Sequence, residues 1–222
     1  MTEKKEWFAS WFNTPYYHIL YADRDYSEAR EFMQNVVAFL ALKKDDILLD
    51  LGCGKGRHSI FLNSLGFHVV GADLSKNSIQ EAKQFENEKL KFIEHDMRNQ
   101  FNSKYNAILN LFTSFGFFEN DKEDINVLKN IKNGLKTEGI AIIDFMNVKK
   151  VIANLVEEET KTIQGITFQI TRYLKDGFIV KEINFEAEGK KHTYFEKVKC
   201  LDLPKIKSFL HLVDFKIKHT FG

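Results

Sequence analysis

The middle of the chain alternates short apolar runs with helical patterns. "DILLDLG" is strand-like, and "RHSIFLNSLG" follows with helical spacing and Gly66 as its stop. "FHVVGAD" is again strand-like, and "SKNSIQEAKQFENE" is helical with Ser75 placed to cap it. "LKFIEHD" and "YNAILNLF" continue the strands, "KEDINVLKNIKNGL" is a helix ending near Gly134, and "GIAIIDF" closes the series. Strands rich in Ile, Leu and Val that alternate with helices predict βαβ units and a parallel sheet buried on both faces.

Two segments flank this core. In "SEAREFMQNVVAFLAL", Phe32, Val36, Phe39 and Leu40 share one helical face, and the aromatic stretch "EWFASWFNTPYYHILYADRDY" lies upstream. After residue 146 a short helix, "VKKVIANLVEEE", gives way to period-two alternation: Ile166, Phe168 and Ile170 against Thr167, Gln169 and Thr171. "KDG" at 175–177 and "EGK" at 188–190 mark hairpin turns, which predicts three antiparallel strands over 161–174, 178–187 and 191–201. "LPKIKSFLHLVD" returns to helix and "FKIKHTFG" reads as a further strand. The expected organisation is one domain: a helical cap over 1–44, a core over 45–146, an antiparallel β insertion over 160–201 that covers one edge or the mouth of the main sheet, and a return to the core over 202–222.

Composition narrows the function classes. A length of 222 residues suits one sizeable domain, and 44% hydrophobic with 28% charged residues is ordinary for a soluble globular protein. No run of eighteen apolar residues is present, and "MTEKKEWFASWF" lacks the apolar core of a secretory signal, so neither a membrane span nor export is expected. Cys53 and Cys200 are far apart, which argues against a disulfide framework or structural zinc and fits a reducing cytoplasm. His68, His211 and His219 have no partners at ligand spacing, so no metal site is expected. The 32 basic residues against 31 acidic ones leave no basic excess, which disfavours a nucleic-acid substrate.

The turn "LLDLGCGKGRHS" carries the chemistry. Gly52, Gly54 and Gly56 follow Asp50, and glycines there let a backbone take positive φ and approach a ligand. The dinucleotide fingerprint is GxGxxG, whereas the spacing here is GxGxG with Arg57 at the third dinucleotide position. Asp50 would repel a diphosphate and suits a ligand with a positive group. Asp73, twenty-three residues on, ends the next strand and is placed to accept ribose hydroxyls. Asp96, in "EHDMR", ends the third and is placed to accept from an exocyclic amine, with Met97 beside a flat base. A cationic adenosine derivative satisfies all three positions.

"LLDLGCGKGRHS", "VVGADLS", "HDM" and "YNAILNLFTSFGFF" resemble the class I S-adenosylmethionine-dependent methyltransferases over about residues 45–145, most closely their small-molecule branch. The resemblance implies a Rossmann-like, doubly wound α/β fold whose mostly parallel sheet carries an N-terminal helical cap and a small antiparallel insertion. It implies S-adenosylmethionine as cofactor, with S-adenosylhomocysteine as product. Asp50 would then bind the methionine ammonium, with Gly52, Cys53 and Gly54 along the methionine tail and ribose. Asp73 would take the ribose hydroxyls, Leu74 would pack on the adenine, and Asp96 and Met97 would serve its edge and face. Asn110 and Leu111 would bring backbone carbonyls near the methionine amine.

Methyl transfer from a sulfonium needs mostly proximity and alignment, so no residue is assigned as a catalytic base. Tyr17 and Tyr21, which share a helical face beside Tyr16 and His18, are candidates to touch the acceptor. Thr113, Ser114 and Phe115 lie just past the fourth strand and are expected near the transferred methyl, with Phe115 a candidate to touch the acceptor. The insertion offers His192 and Tyr194, of which at most one is expected at the site. His58 reads as a packing residue, and Arg57 as a partner of Asp50, of the cofactor carboxylate or of solvent. The proline-containing D/N-P-P-Y element of adenine and amide methylating relatives is absent from "NLFTSF", so a small-molecule acceptor is expected and DNA is not. The family's sheet ends in a hairpin, and only "FKIKHTFG" is available for it. An unfilled sheet position is therefore expected, with lower stability or pairing to another chain, and monomer and homodimer both stay open. The alternatives are a protein that binds S-adenosylmethionine as a sensor without transfer, and a nicotinamide-dependent oxidoreductase.

Overall fold

The computed structural model describes residues 6–22 and 26–222. The five central apolar runs form parallel strands: β1 (Ile47–Leu51), β2 (His68–Asp73), β3 (Leu90–Glu94), β4 (Tyr105–Asn110) and β5 (Leu135–Ile143). Their order is β3-β2-β1-β4-β5, with every neighbouring pair parallel. β1 therefore has β2 on one side and β4 on the other, and the winding reverses between β1 and β4. Such a reversal opens a crevice at the carboxyl ends of the strands, where ligands bind in open α/β sheets.

Alternation along β1 explains the two cores. Leu49 and Leu51 join Ile108, Val127, Ile131 and Phe209 on one face, under α6 (Asp121–Gly134) and α8 (Leu203–Leu212). Leu48 joins Val69, Leu109, Leu62, Ile79 and Met33 on the other, under α3 (Tyr26–Leu40), α4 (Arg57–Ser64) and α5 (Lys76–Ala82). Each fully buried side chain of this kind contributes about 1.5–3 kcal/mol. Ser75 caps α5 as its position implies, accepting from Ser78 N.

Beyond the short helix α7 (Val148–Ala153) lies a second, antiparallel sheet: β6 (Glu158–Ile163), β7 (Ile166–Lys175), β8 (Phe178–Ala187) and β9 (Lys190–Lys199), in that order. It holds four strands, not three. The expected strand 161–174 is broken at Gln164–Gly165, where φ is 50° and 79°, the same left-handed pair that turns the chain at Asp176–Gly177 and Glu188–Gly189. The alternation changes phase there, with Ile163 paired to Ile166 and Lys161 to Phe168, so odd positions of β6 share a face with even positions of β7. Phe168, Ile170, Ile183 and Phe185 pack against Trp11 of α1 (Trp7–Trp11) and Leu20 of α2 (Pro15–Leu20), so the N-terminal helices are seated on the second sheet.

The expected strand in "FKIKHTFG" does not form. Residues 215–222 carry no regular structure, Phe215 N donates back to Leu210 O, and β5 ends the main sheet. Among the described residues no helix is long and apolar enough to cross a membrane.

Candidate functional site

A cavity of about 780 Å³ lies over the carboxyl ends of β1–β4, between them and the layer made by α1, α2 and β9. It gathers most of the residues singled out in the sequence: Asp50, Gly52, Cys53, Gly54, Asp73, Leu74, Asp96, Met97 and Leu111, together with Tyr17 and Tyr21.

The glycine turn shows why its residues differ in purpose. Gly56 has φ 82°, and a Cβ there would meet the Phe92 ring at 2.4 Å, so this glycine serves helix-to-strand packing. Gly54 has φ 55° and nothing within 4 Å of its would-be Cβ. The open space belongs to the cavity, and it lies beside a backbone N–H that donates to Asp73 Oδ2 at 2.8 Å. Asp73 Oδ1 accepts from Ser75 N at 2.7 Å. A carboxylate has about four lone-pair sites, so Asp73 keeps acceptor capacity on the cavity side.

Asp50 is only 2% exposed and accepts from Ser59 Oγ at 2.6 Å. Burial pushes its carboxyl up to about 6; the Ser59 hydrogen bond opposes this and the nearby Asp73 adds to it. Burial also raises Asp73, against its hydrogen bonds from Ser75 and Gly54. Two carboxylates in little water favour a cationic ligand. The same surroundings push the Cys53 thiol well up, through burial and then through Asp50 and Asp73, which disfavours the thiolate that a nucleophile needs.

Three of the expected residues, Asn110, Phe115 and Tyr194, lie away from the cavity. Asn110 does not line the cavity: its carbonyl accepts from Asp144 N at 2.8 Å and its amide donates to Leu51 O at 3.0 Å, which ties β4 to β1 and the loop after β5. Phe115 is 1% exposed and belongs to the core against Phe145, because the chain turns inward after Ser114. Tyr194 packs on Trp11 with ring centroids 4.7 Å apart and does not reach the cavity. His192 shares its face, as two residues of equal parity must, with the two rings nearly parallel, and likewise stays outside the cavity. Asp96 is on the wall but is engaged by Arg98, which donates to Oδ1 from its backbone N at 2.9 Å and to Oδ2 from Nη2 at 2.6 Å. Burial raises Asp96, but the Arg98 hydrogen bonds outweigh it and hold the carboxyl below its usual value.

Arg57, His58, Thr113 and Ser114 also line the walls, together with Glu196 and Phe112, which sequence reasoning did not single out. Glu196 borders the cavity two positions from Tyr194, on the same face of β9; parity was the available signal. Phe112 and Thr113 both sit in the left-handed region, at φ 54° and 58°, held by Asp144 through Phe112 N to Oδ2 at 2.8 Å and Thr113 N to O at 3.1 Å. Two consecutive non-glycine residues in that conformation store strain of the kind found at functional loops. Phe112 stacks on His58 at 4.8 Å, and Arg57 lies over the same ring. Among the described residues no group of three or more His, Cys, Asp or Glu is placed to hold a metal.

A family profile described as "Methyltransferase domain" matches residues 42–201. The chain belongs to the methyltransferase-domain family. The class I resemblance is thereby borne out in family and fold. Among its relatives, the glycine/sarcosine N-methyltransferase of Halorhodospira halochloris is 27% identical over 186 residues, 79% of this chain and 67% of that protein. The putative methyltransferase YqeM of Bacillus subtilis (strain 168) is 33% identical over 101 residues, 44% of this chain and 41% of YqeM. The chain thus spans two fifths to two thirds of the length of these curated relatives. An S-adenosylmethionine-dependent methyltransferase from Clostridium acetobutylicum ATCC 824 has the same fold, with TM-score 0.73 at 21% identity over 88% of this chain and 83% of that one. So does the sugar N-methyltransferase KedS8 from Streptoalloteichus sp ATCC 53650, with TM-score 0.72 at 16% identity over 89% and 83%.

Proposed function

We propose that this methyltransferase domain carries a methyl group from S-adenosylmethionine to a small-molecule acceptor. The open space over Gly54, between Asp50 and Asp73, carries the reading. When bound, S-adenosylmethionine supplies a methyl group on a positively charged sulfur. Asp50 holds the cationic amine, Asp73 accepts from the ribose hydroxyls, and Leu74, 37% exposed, offers an apolar surface to the base. Met97 borders the base, while Arg98 holds Asp96 in place beside it. The layer of α1, α2 and β9 covers the site, limits water and fixes the acceptor, which is the main contribution a protein makes to such a displacement. The named activities of the glycine/sarcosine and sugar N-methyltransferases support a small-molecule acceptor here. The acidic cradle speaks against a nicotinamide dinucleotide.

Calorimetric titration of the full chain with S-adenosylhomocysteine and with NAD tests the reading. Micromolar binding of the first and none of the second is expected. Asp73→Asn, checked by circular dichroism for retained fold, should weaken S-adenosylhomocysteine by about 10–100-fold, the value of one or two hydrogen bonds to a charged acceptor. A folded protein that binds NAD and not S-adenosylhomocysteine sinks the proposal.

A further inference from the structure

We infer that the methyl acceptor is a small amine and that Glu196 holds its ammonium group. The inference rests on the cofactor reading above and names the substrate class of the same cavity. The cavity has two kinds of wall. The strand ends and the glycine turn form the first. The second comes from α1, α2, β9 and the loop 111–118, and among the described residues Glu196 is the one formally charged side chain that this wall turns to the cavity.

Glu196 is held as a binding group must be. Trp11 Nε1 donates to its Oε1 at 2.7 Å, and the Tyr21 hydroxyl lies 2.7 Å from Oε1 and 2.8 Å from Oε2. Lys181 Nζ approaches Oε2 at 3.7 Å from behind, bonds the Tyr21 hydroxyl and does not line the cavity. Trp11 is fully buried, so these partners fix the carboxylate's direction before any ligand arrives. Two donors leave acceptor capacity on Oε2. Lys181 also lies over the Tyr21 ring, 4.6 Å from its centroid, so this cation is shared between the ring, the Tyr21 hydroxyl and the carboxylate. The ring of Tyr17, 5.0 Å from that of Tyr21, borders the same space, and an aromatic ring beside a carboxylate suits a cation.

Other acceptor classes fit less well. A carboxylate acceptor meets like charge at Glu196. A hydroxyl or thiol acceptor brings no cation to Glu196, whose own partner, Lys181, stays 3.7 Å from Oε2, outside hydrogen-bond distance. An ammonium does both jobs: it neutralises Glu196 and passes it one proton, leaving the nitrogen its lone pair.

The test has two readouts. Ethanolamine, glycine and glucosamine are titrated into full-chain protein saturated with S-adenosylhomocysteine, beside ethylene glycol, acetate and 2-mercaptoethanol. The same panel is then offered with methyl-labelled S-adenosylmethionine. At least one amine should bind and take label, and the other compounds should do neither. Glu196→Gln should weaken that amine at least tenfold while the dissociation constant of S-adenosylhomocysteine stays within twofold. Glu196→Asp should recover part of the loss, and it carries the test alone if the glutamine variant does not fold. Label on an alcohol or thiol, unchanged amine binding in both variants, or no amine bound by a protein that binds S-adenosylhomocysteine overturns the inference. Failure to bind S-adenosylhomocysteine overturns the cofactor reading instead.

Discussion

Asp50 shows at a single residue how the site trades stability for binding. Its carboxyl lies at about 6 when folded, against 3.8 for the ordinary group. Between those values the folded chain keeps a proton that the unfolded chain has released. Stability therefore falls as pH rises through this window, and the loss is complete above about pH 6. At 1.36 kcal/mol per pKa unit the effect is on the order of 3 kcal/mol. Asp50→Asn keeps an acceptor for Ser59 Oγ and removes the charge. In urea unfolding it should stabilise the ligand-free protein by about 1–3 kcal/mol at pH 7.5 and by almost nothing near pH 4, while S-adenosylhomocysteine binds more weakly. Equal effects at the two pH values would show that burial of the charge is not the cause.

At the scale of the element, α1 is the part of the lid that most needs outside support. It has five residues, too few for a helix to persist alone. Phe8 anchors it in the main core and Trp11 in the core under the second sheet. Glu6, just before the helix, pairs with Arg98 at 2.8 Å and 2.9 Å, and Arg98 also holds Asp96 and Glu123. These groups are partly exposed, so the network adds little to global stability. It ties the lid to the wall at the end of β3. Arg98→Met should shift the melting temperature by only a few degrees, yet speed amide exchange over residues 7–11 and shorten the residence of S-adenosylhomocysteine several-fold. Exchange and residence both at wild-type values would remove the strap from the account.

At the scale of the whole molecule, a buried cation ties the second sheet to α6 beside the main one. Lys199, the last residue of β9, reaches α6 and meets Asp124 Oδ2 at 2.6 Å and Asp121 Oδ1 at 2.8 Å. Asp124 is fully buried. Lys199→Met leaves that carboxylate without its cation and should cost about 3–5 kcal/mol in denaturant unfolding. The pair Lys199→Met with Asp124→Leu should recover most of the loss, because a buried ion pair replaced by apolar groups of similar volume is close to neutral. A single variant as stable as wild type would mean that the second sheet is held by its apolar contacts alone.

The parallel sheet, its strand ends and the glycine turn were legible without coordinates because each is written locally. β1 reads as a buried run with Asp50 near its end, the glycines follow directly, and Asp73 and Asp96 lie at or just past the ends of the next two strands. Winding rules then bring those ends together. The side-chain partners were not legible. Arg98 fills Asp96, Asp144 takes the Asn110 carbonyl, and Phe115 turns into the core, each through a contact that strand periodicity does not encode. On β9, alternation puts Tyr194 and Glu196 on one face, but it is silent on which of them meets the cavity. That depends on where α1 and α2 come to rest, through bonds such as Trp11 to Glu196 that join residues 185 positions apart. A local pattern defines the faces of an element; what each face meets is chosen by packing between distant parts of the chain.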